Sequence, residues 1–134
     1  MEQQELDLVN HSYTRCLENK EFFPHFYKTF TSKGPDIAER FKNTDMKHQM
    51  EALRLGLQYM IMFASGSKIA NAKVEDLGRT HDRHHRNITP ELYEAWLQSL
   101  LETIKACDPQ YSDELGMAWR NTLGFGIRQM KAMY

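Results

Sequence analysis

Leu77-Gly78-Arg79-Thr80-His81-Asp82-Arg83-His84-His85 is the stretch on which the reading of this chain turns. It holds three of the six histidines. Val74, Leu77 and His81 recur at spacings of three and four, one face of a helix. A loop follows, and then a firm helix start at Thr89-Pro90-Glu91, with proline in the first turn. A single imidazole at position 81, facing an apolar slot between helices, can ligate a metal from one side. Its role separates a cofactor protein from an ordinary helical domain.

Outward from this stretch the chain reads as helix after helix. Upstream, Met46, Met50, Leu53, Leu57, Met60, Ile61 and Ala64 form an amphipathic stripe, capped by Thr44 or Asp45 and stopped at Ser65-Gly66-Ser67. The short helix that carries His81 is expected over about residues 72–84. Nearer the start, Leu6, Leu8, Val9, Tyr13 and Cys16 make one stripe, and Phe22, Phe23, Phe26, Tyr27 and Phe30 another, with Pro24 in its first turn. Ser32-Lys33-Gly34-Pro35 breaks that helix, and a short turn from Asp36 to Arg40 leads to Phe41. Downstream, Thr89 caps a helix burying Leu92 or Tyr93, Trp96, Leu97, Leu100, Leu101 and Ile104, which Asp108-Pro109 ends. The last helix starts near Ser112 and buries Leu115, Trp119, Leu123, Ile127 and Met130. About seven helices joined by short turns are expected, and strand signals are weak throughout. The 134 residues suit one domain, 1–134, with no repeats or linker.

Composition narrows the function. Seventeen basic residues balance 18 acidic ones, so no basic patch marks a nucleic-acid partner. No apolar run is long enough to span a bilayer. The start, Met1-Glu2-Gln3-Gln4-Glu5, is acidic and polar, without the pattern of a secretory signal. A cytoplasmic location is expected, with Cys16 and Cys107 as reduced thiols, though a bridge between them stays open.

Three readings of His81 compete on the local pattern. With His84 and His85 three and four residues on, all three histidines can share a helix face and hold zinc, completed by Asp82 or a distant residue. A solvated basic turn at a helix end is the plainer reading. The third is a haem ligand, with one ring nitrogen on iron. The other nitrogen then donates to a backbone carbonyl, and Leu77, four residues back, is the natural acceptor. His84 and His85 would lie toward the haem edge, where propionates need cationic partners. A second group, Tyr27, Phe41, Gln49 and Leu53, bears on the same choice. Gln49 and Leu53 are four apart and can face one cavity, and Tyr27 lies among phenylalanines. A phenol and an amide in an apolar cavity need partners. A gas ligand with a partly negative outer oxygen would supply one. Alternatively, Tyr27 keeps its hydroxyl in water and Gln49 lies on the surface.

In order and spacing, these segments resemble a globin over nearly the whole chain. Phe22-Phe23-Pro24-His25-Phe26-Tyr27 is similar to the second helix of bacterial haemoglobins. Phe41 matches the phenylalanine that packs on haem. His48-Gln49-Met50-Glu51-Ala52-Leu53 resembles the start of the distal helix, and Leu77-Gly78-Arg79-Thr80-His81 the proximal motif, 32 residues after Gln49. Pro90-Glu91-Leu92-Tyr93, Trp96-Leu97 and Ala118-Trp119-Arg120 resemble the last two helices. The resemblance is to bacterial single-domain globins of the flavohaemoglobin-like type. It implies an all-α, three-over-three sandwich around one haem b. By the same resemblance His81 is the proximal iron ligand, and Tyr27 and Gln49 are distal hydrogen-bond donors. The resemblance also implies that Phe41, Leu53, Leu77, His85, Ile88, Tyr93, Trp96 and Leu100 contact the haem.

Two departures accompany the resemblance. The stretch from His81 to Ile88 is slightly longer than in many globins, which keeps His84 and His85 open as ligands. No Asp or Glu follows Glu114, so the last helix cannot supply the carboxylate that pairs with a tyrosine and the proximal histidine in flavohaemoglobins. Reversible binding of dioxygen, and of carbon monoxide and nitric oxide, is the implied function, in a monomer or homodimer. A nitric oxide dioxygenase served by an external reductase is the alternative, with a gas or redox sensor third. A helical domain that has lost haem fits poorly with Tyr27, Phe41, Gln49 and His81 all being present. His48 stands one residue from Gln49 and about 100° round the helix, leaving open a sixth iron ligand.

Overall fold

Side-chain caps start three of the helices, at the residues where the polar pattern gives way to the apolar stripe. The computed structural model describes residues 2–134, so Met1 of the acidic start lies outside the described residues. Asp45 accepts from the Lys47 and His48 amides and opens α4, Met46–Ala64. Ser67 accepts from the Ala70 amide and opens α5, Lys68–His81. Ser112 accepts from the Leu115 amide and opens α7, Asp113–Ala132. Each such cap satisfies an amide that the helix itself leaves unpaired. The remaining helices are α1, Gln3–Leu17; α2, Phe22–Thr31; α3, Pro35–Phe41; and α6, Pro90–Cys107. Among the described residues there are seven helices and no strand.

Three expectations about the elements change. The segment before Phe41 is a helix rather than a turn, because Pro35 pre-sets its first turn behind Gly34. α5 begins at Lys68, well before Ala72, since Ser67 recaps the chain directly after Gly66 turns at φ 89°. It also ends at His81. Asp82 leaves the helical region, and its carboxylate accepts from the His84 amide at 2.9 Å and pairs with His85 Nδ1 at 2.8 Å. His84 and His85 therefore do not share a helix face with His81. Among the described residues no group of three or more His, Cys, Asp and Glu is placed to hold a metal ion, which removes the zinc reading. Leu8, expected in the first stripe, is exposed.

The helices pack as three over three. α2 lies against α6, and α4 against α5. α7 reaches across to α1, α4 and α5 as well as to its neighbour α6. Its stripe of Leu115, Trp119, Leu123, Ile127 and Met130 is buried throughout. α7 passes close to α4 at Gly126, where a Cβ would sit 3.0 Å from the Met60 methyl. No helix among the described residues is long and apolar enough to cross a membrane.

A buried polar network ties the chain's beginning to its end. Trp119 Nε1 donates to Ser12 Oγ at 2.9 Å, and Ser12 donates to Asp108 at 2.6 Å. Arg15 grips the same carboxylate with two bonds, of 2.7 and 3.0 Å, and the Gln110 amide adds a fourth bond. The Asp108 side chain is wholly buried, while that of Arg15 keeps partial contact with water. Asp108 is thus more than the helix stop expected from Asp108-Pro109. It joins α1, the α6–α7 link and α7. Beside it, Cys16 is free and buried, and burial pushes its thiol up to about 12, so it stays protonated and unreactive.

Burial raises the Asp108 pKa, but the bonds from Arg15, Ser12 and the Gln110 amide outweigh it and hold the group below the ordinary carboxylate range. A depressed folded-state pKa contributes stability above the unfolded value, about 4, and loses it as pH falls through the depressed one. Asp108→Asn should therefore cost about 2–3 kcal/mol near neutral pH, with the difference from wild type shrinking below about pH 4. Urea unfolding at a series of pH values measures this. A constant difference across the series would contradict the account.

Candidate functional site

α4 and α5 pack on one another but do not close over the core beneath them. A cavity of about 610 Å³ opens there, walled by side chains from α2 through α7. That is within the usual range for small-molecule sites, about 300–1,000 Å³. Its walls are mainly apolar. Leu53, Leu57 and Met60 come from α4, and Leu77 from α5. Ile88, Tyr93 and Trp96 come from the loop and helix that follow, and Ile127 and Met130 from α7.

The polar groups in this apolar space are few. Tyr27, on α2, is 6% exposed. Its ring is wedged edge-on between Phe26, at 5.0 Å, and Phe41, at 5.4 Å. Its hydroxyl accepts from Gln49 Nε2 at 3.1 Å and donates to the Gln49 backbone carbonyl across a long 3.4 Å. Burial pushes the phenol up to about 12, against opposing effects of the Gln49 bond and the Arg86 charge, so it remains a neutral O–H donor at neutral pH. Tyr27 and Gln49 thus meet each other in one cavity instead of turning to solvent.

His81 is the last residue of α5, and its ring lines the same cavity. His81 Nδ1 lies 2.7 Å from the Leu77 carbonyl, and Thr80 Oγ1 lies 3.1 Å from the same nitrogen. A carbonyl only accepts, so Nδ1 carries the proton and Nε2 keeps its lone pair. Burial lowers the His81 pKa; the bond to Leu77 opposes this and the Arg86 charge reinforces it. The ring is therefore neutral near neutral pH, as metal ligation requires.

Most of the residues singled out from the sequence come together here. Tyr27, Phe41, Gln49, Leu53, Leu77, His81, Ile88, Tyr93 and Trp96 all line the cavity. Two do not. Leu100 is buried in the core behind it, and His85 is exposed and paired with Asp82. The rim is made by residues that sequence reasoning mostly missed. Arg40, Asp45, His48 and Arg86 both line the cavity and remain exposed. Three of these four are arginine or histidine. Arg40 lies on α3 and Arg86 in the loop after α5, and neither belongs to an apolar stripe that would mark it in the sequence. The cavity is thus an apolar slot that one imidazole enters, with Arg40, Arg86, His48 and Asp45 at its rim.

Comparison with known proteins agrees with this geometry. The globin family model matches residues 11–130. A solved structure, that of protein PA3967 from Pseudomonas aeruginosa PAO1, superposes with a TM-score of 0.93 at 37% sequence identity. The match covers 97% of this chain and 98% of that one, and PA3967 is itself described as structurally highly homologous to a human haemoglobin. A search of curated proteins finds no match. An all-helical fold, a match spanning nearly the whole sequence and an imidazole-bearing apolar cavity lead to one assignment: the chain belongs to the globin family, whose members bind haem.

Proposed function

We propose that this globin holds one haem b in the 610 Å³ cavity, with His81 Nε2 on the iron, and binds dioxygen reversibly. The observation that carries the reading is the His81–Leu77 bond of 2.7 Å, which orients a neutral imidazole into the cavity that Tyr27 and Gln49 also enter. Bound haem supplies a ferrous iron that takes diatomic gases. The chain's own residues do the rest. Phe41 and Leu53 wall the pocket, with Leu77, Ile88, Tyr93 and Trp96 as further apolar contacts. Arg86 and His48 at the rim face the propionates, the role first given to His85, which is committed to Asp82.

Tyr27 is the first distal donor. Its hydroxyl is held by a long bond to the Gln49 carbonyl, which is given up at little cost when a guest offers a better acceptor. Gln49 Nε2 is the second donor. A hydrogen bond to a partly charged outer oxygen stabilises by about 1.5–3 kcal/mol, which slows release roughly ten- to a hundredfold. Tyr27→Phe should raise the dioxygen off-rate by that factor in stopped-flow displacement. An unchanged rate would remove Tyr27 from the role.

The pairing of two donors in one mainly apolar cavity also favours a second reading, nitric oxide dioxygenation. Dioxygen, nitric oxide and one electron together give nitrate, and an external reductase returns the electron. Turnover of nitric oxide with an added reductase at many cycles per protein selects this reading. Stoichiometric consumption selects the carrier.

The direct test is the visible spectrum of the haem-loaded protein, oxidised, reduced, and reduced with carbon monoxide, beside His81→Ala. A Soret band that shifts with carbon monoxide and is lost or weakened in the variant is expected. A band unaltered by the variant would move the proximal role to His84 or His85. A six-coordinate reduced spectrum abolished by His48→Ala would give His48 the distal position.

A further inference from the structure

The loop that links α5 to α6 carries His84 and His85. In the structure it closes back onto the end of α5. The Arg86 amide donates to the Thr80 carbonyl at 3.1 Å, and the Asn87 amide to Asp82 at 2.8 Å. The Ile88 amide donates to the carbonyl of His81 itself at 2.9 Å. These bonds satisfy carbonyls that the helix end leaves open. Asn87 adopts φ 51°, the left-handed region that asparagine tolerates better than most side chains. The His81 carbonyl, which α5 itself leaves open, is therefore held by this loop.

Two side chains from distant parts of the chain hold the loop at Asn87. Arg40 donates to the Arg86 carbonyl at 3.0 Å and to the Asn87 carbonyl at 3.1 Å. The Tyr134 hydroxyl donates to Asn87 Oδ1 at 2.6 Å. Tyr134 is itself seated. Arg83 donates to its carbonyl at 2.8 Å and stacks its guanidinium 4.7 Å from the ring centre. The neighbouring Met133 fills the space left by Gly78, where a Cβ would lie 2.5 Å from its sulfur. Arg40 also precedes Phe41, whose ring packs on Tyr27, so this grip joins the loop after His81 to the helix that backs the distal tyrosine.

We propose that Arg40 and Tyr134 are positioning residues for His81, acting through Asn87 to set the direction and tension of the bond between its imidazole and iron. The proposal rests on His81 being the iron ligand. Neither residue needs to touch the metal. Each restrains the loop whose Ile88 amide holds the His81 carbonyl. Tyr134 does not line the cavity, so its removal leaves the pocket walls intact.

The test uses the reduced, haem-loaded protein. Wild type should show an iron–histidine stretching band in resonance Raman spectra that is lost in His81→Ala. Tyr134→Phe keeps the ring over Arg83 and removes one hydrogen bond. It should shift or broaden the band and speed haem transfer to excess apomyoglobin by roughly three- to tenfold. Asn87→Gly removes the same bond from its other end while tolerating the positive φ, so the double variant should go no further than either single one. Arg40→Met should show a larger shift, which Arg40→Lys partly reverses. An unmoved band in both Tyr134→Phe and Arg40→Met overturns the proposal, even if the proteins melt earlier. A band that survives His81→Ala overturns the ligand assignment and the proposal with it, an outcome distinct from an unmoved band in the loop variants.

Discussion

The bond from His81 Nδ1 to the Leu77 carbonyl decides what the cavity can do. Without it the imidazole would be free to rotate, to turn either nitrogen inward, or to leave the slot for solvent. With it, one tautomer and one orientation are selected before any ligand arrives. The bond spans one turn of α5, so the helix itself is the alignment device. Burial keeps the ring neutral, and the same burial keeps Tyr27 an O–H donor. The two groups are thus tuned in opposite senses by one cause. Desolvation disfavours the charged form of each, which makes one a lone-pair donor and the other a proton donor.

A chain of this size that leaves some 610 Å³ open in its core forgoes many apolar contacts. The frame that tolerates this lies on α1, α7 and the α6–α7 link. There Ser12, Arg15, Asp108 and Trp119 form a network in which no buried side-chain polar atom among the described residues lacks a partner. Such networks specify one arrangement rather than adding much net stability, because a half-satisfied version costs more than an apolar core. The division is physical. One part of the molecule is filled by its own side chains, while the part around α4 and α5 is shaped around a cavity.

Much of this was legible in the sequence. The α7 stripe and the α4 stripe announce themselves because their apolar residues recur at helical spacing, and proline or serine marks where helices begin. The aromatic and polar residues of the site were legible as a set, through family resemblance, and nearly all of them line the cavity. What escaped is what depends on loops and on pairing across the fold. The α5 terminus was placed too late because three histidines preserve a helical spacing that Asp82 interrupts by capping with its own carboxylate. Asp108 looked like a stop signal because its partners, Ser12 and Arg15, lie more than ninety residues away. Arg40 and Arg86 carried no periodic signal, since an exposed arginine at a cavity rim is, in sequence, an ordinary surface arginine.

The position of α7 in the chain has a consequence for synthesis. This helix touches α1, α4, α5 and α6, and its Ile127 and Met130 form part of the cavity wall. Chains emerge from the ribosome in sequence order and fold as their parts become available. Until α7 has emerged, the five helices that also wall the cavity, α2 through α6, expose an apolar trough with one side missing, and α1 lacks the face that receives Trp119. The trough is thus complete but for one wall only between the emergence of α6 and that of α7. The cavity wall is therefore complete only when α7 has docked, because Ile127 and Met130 close it.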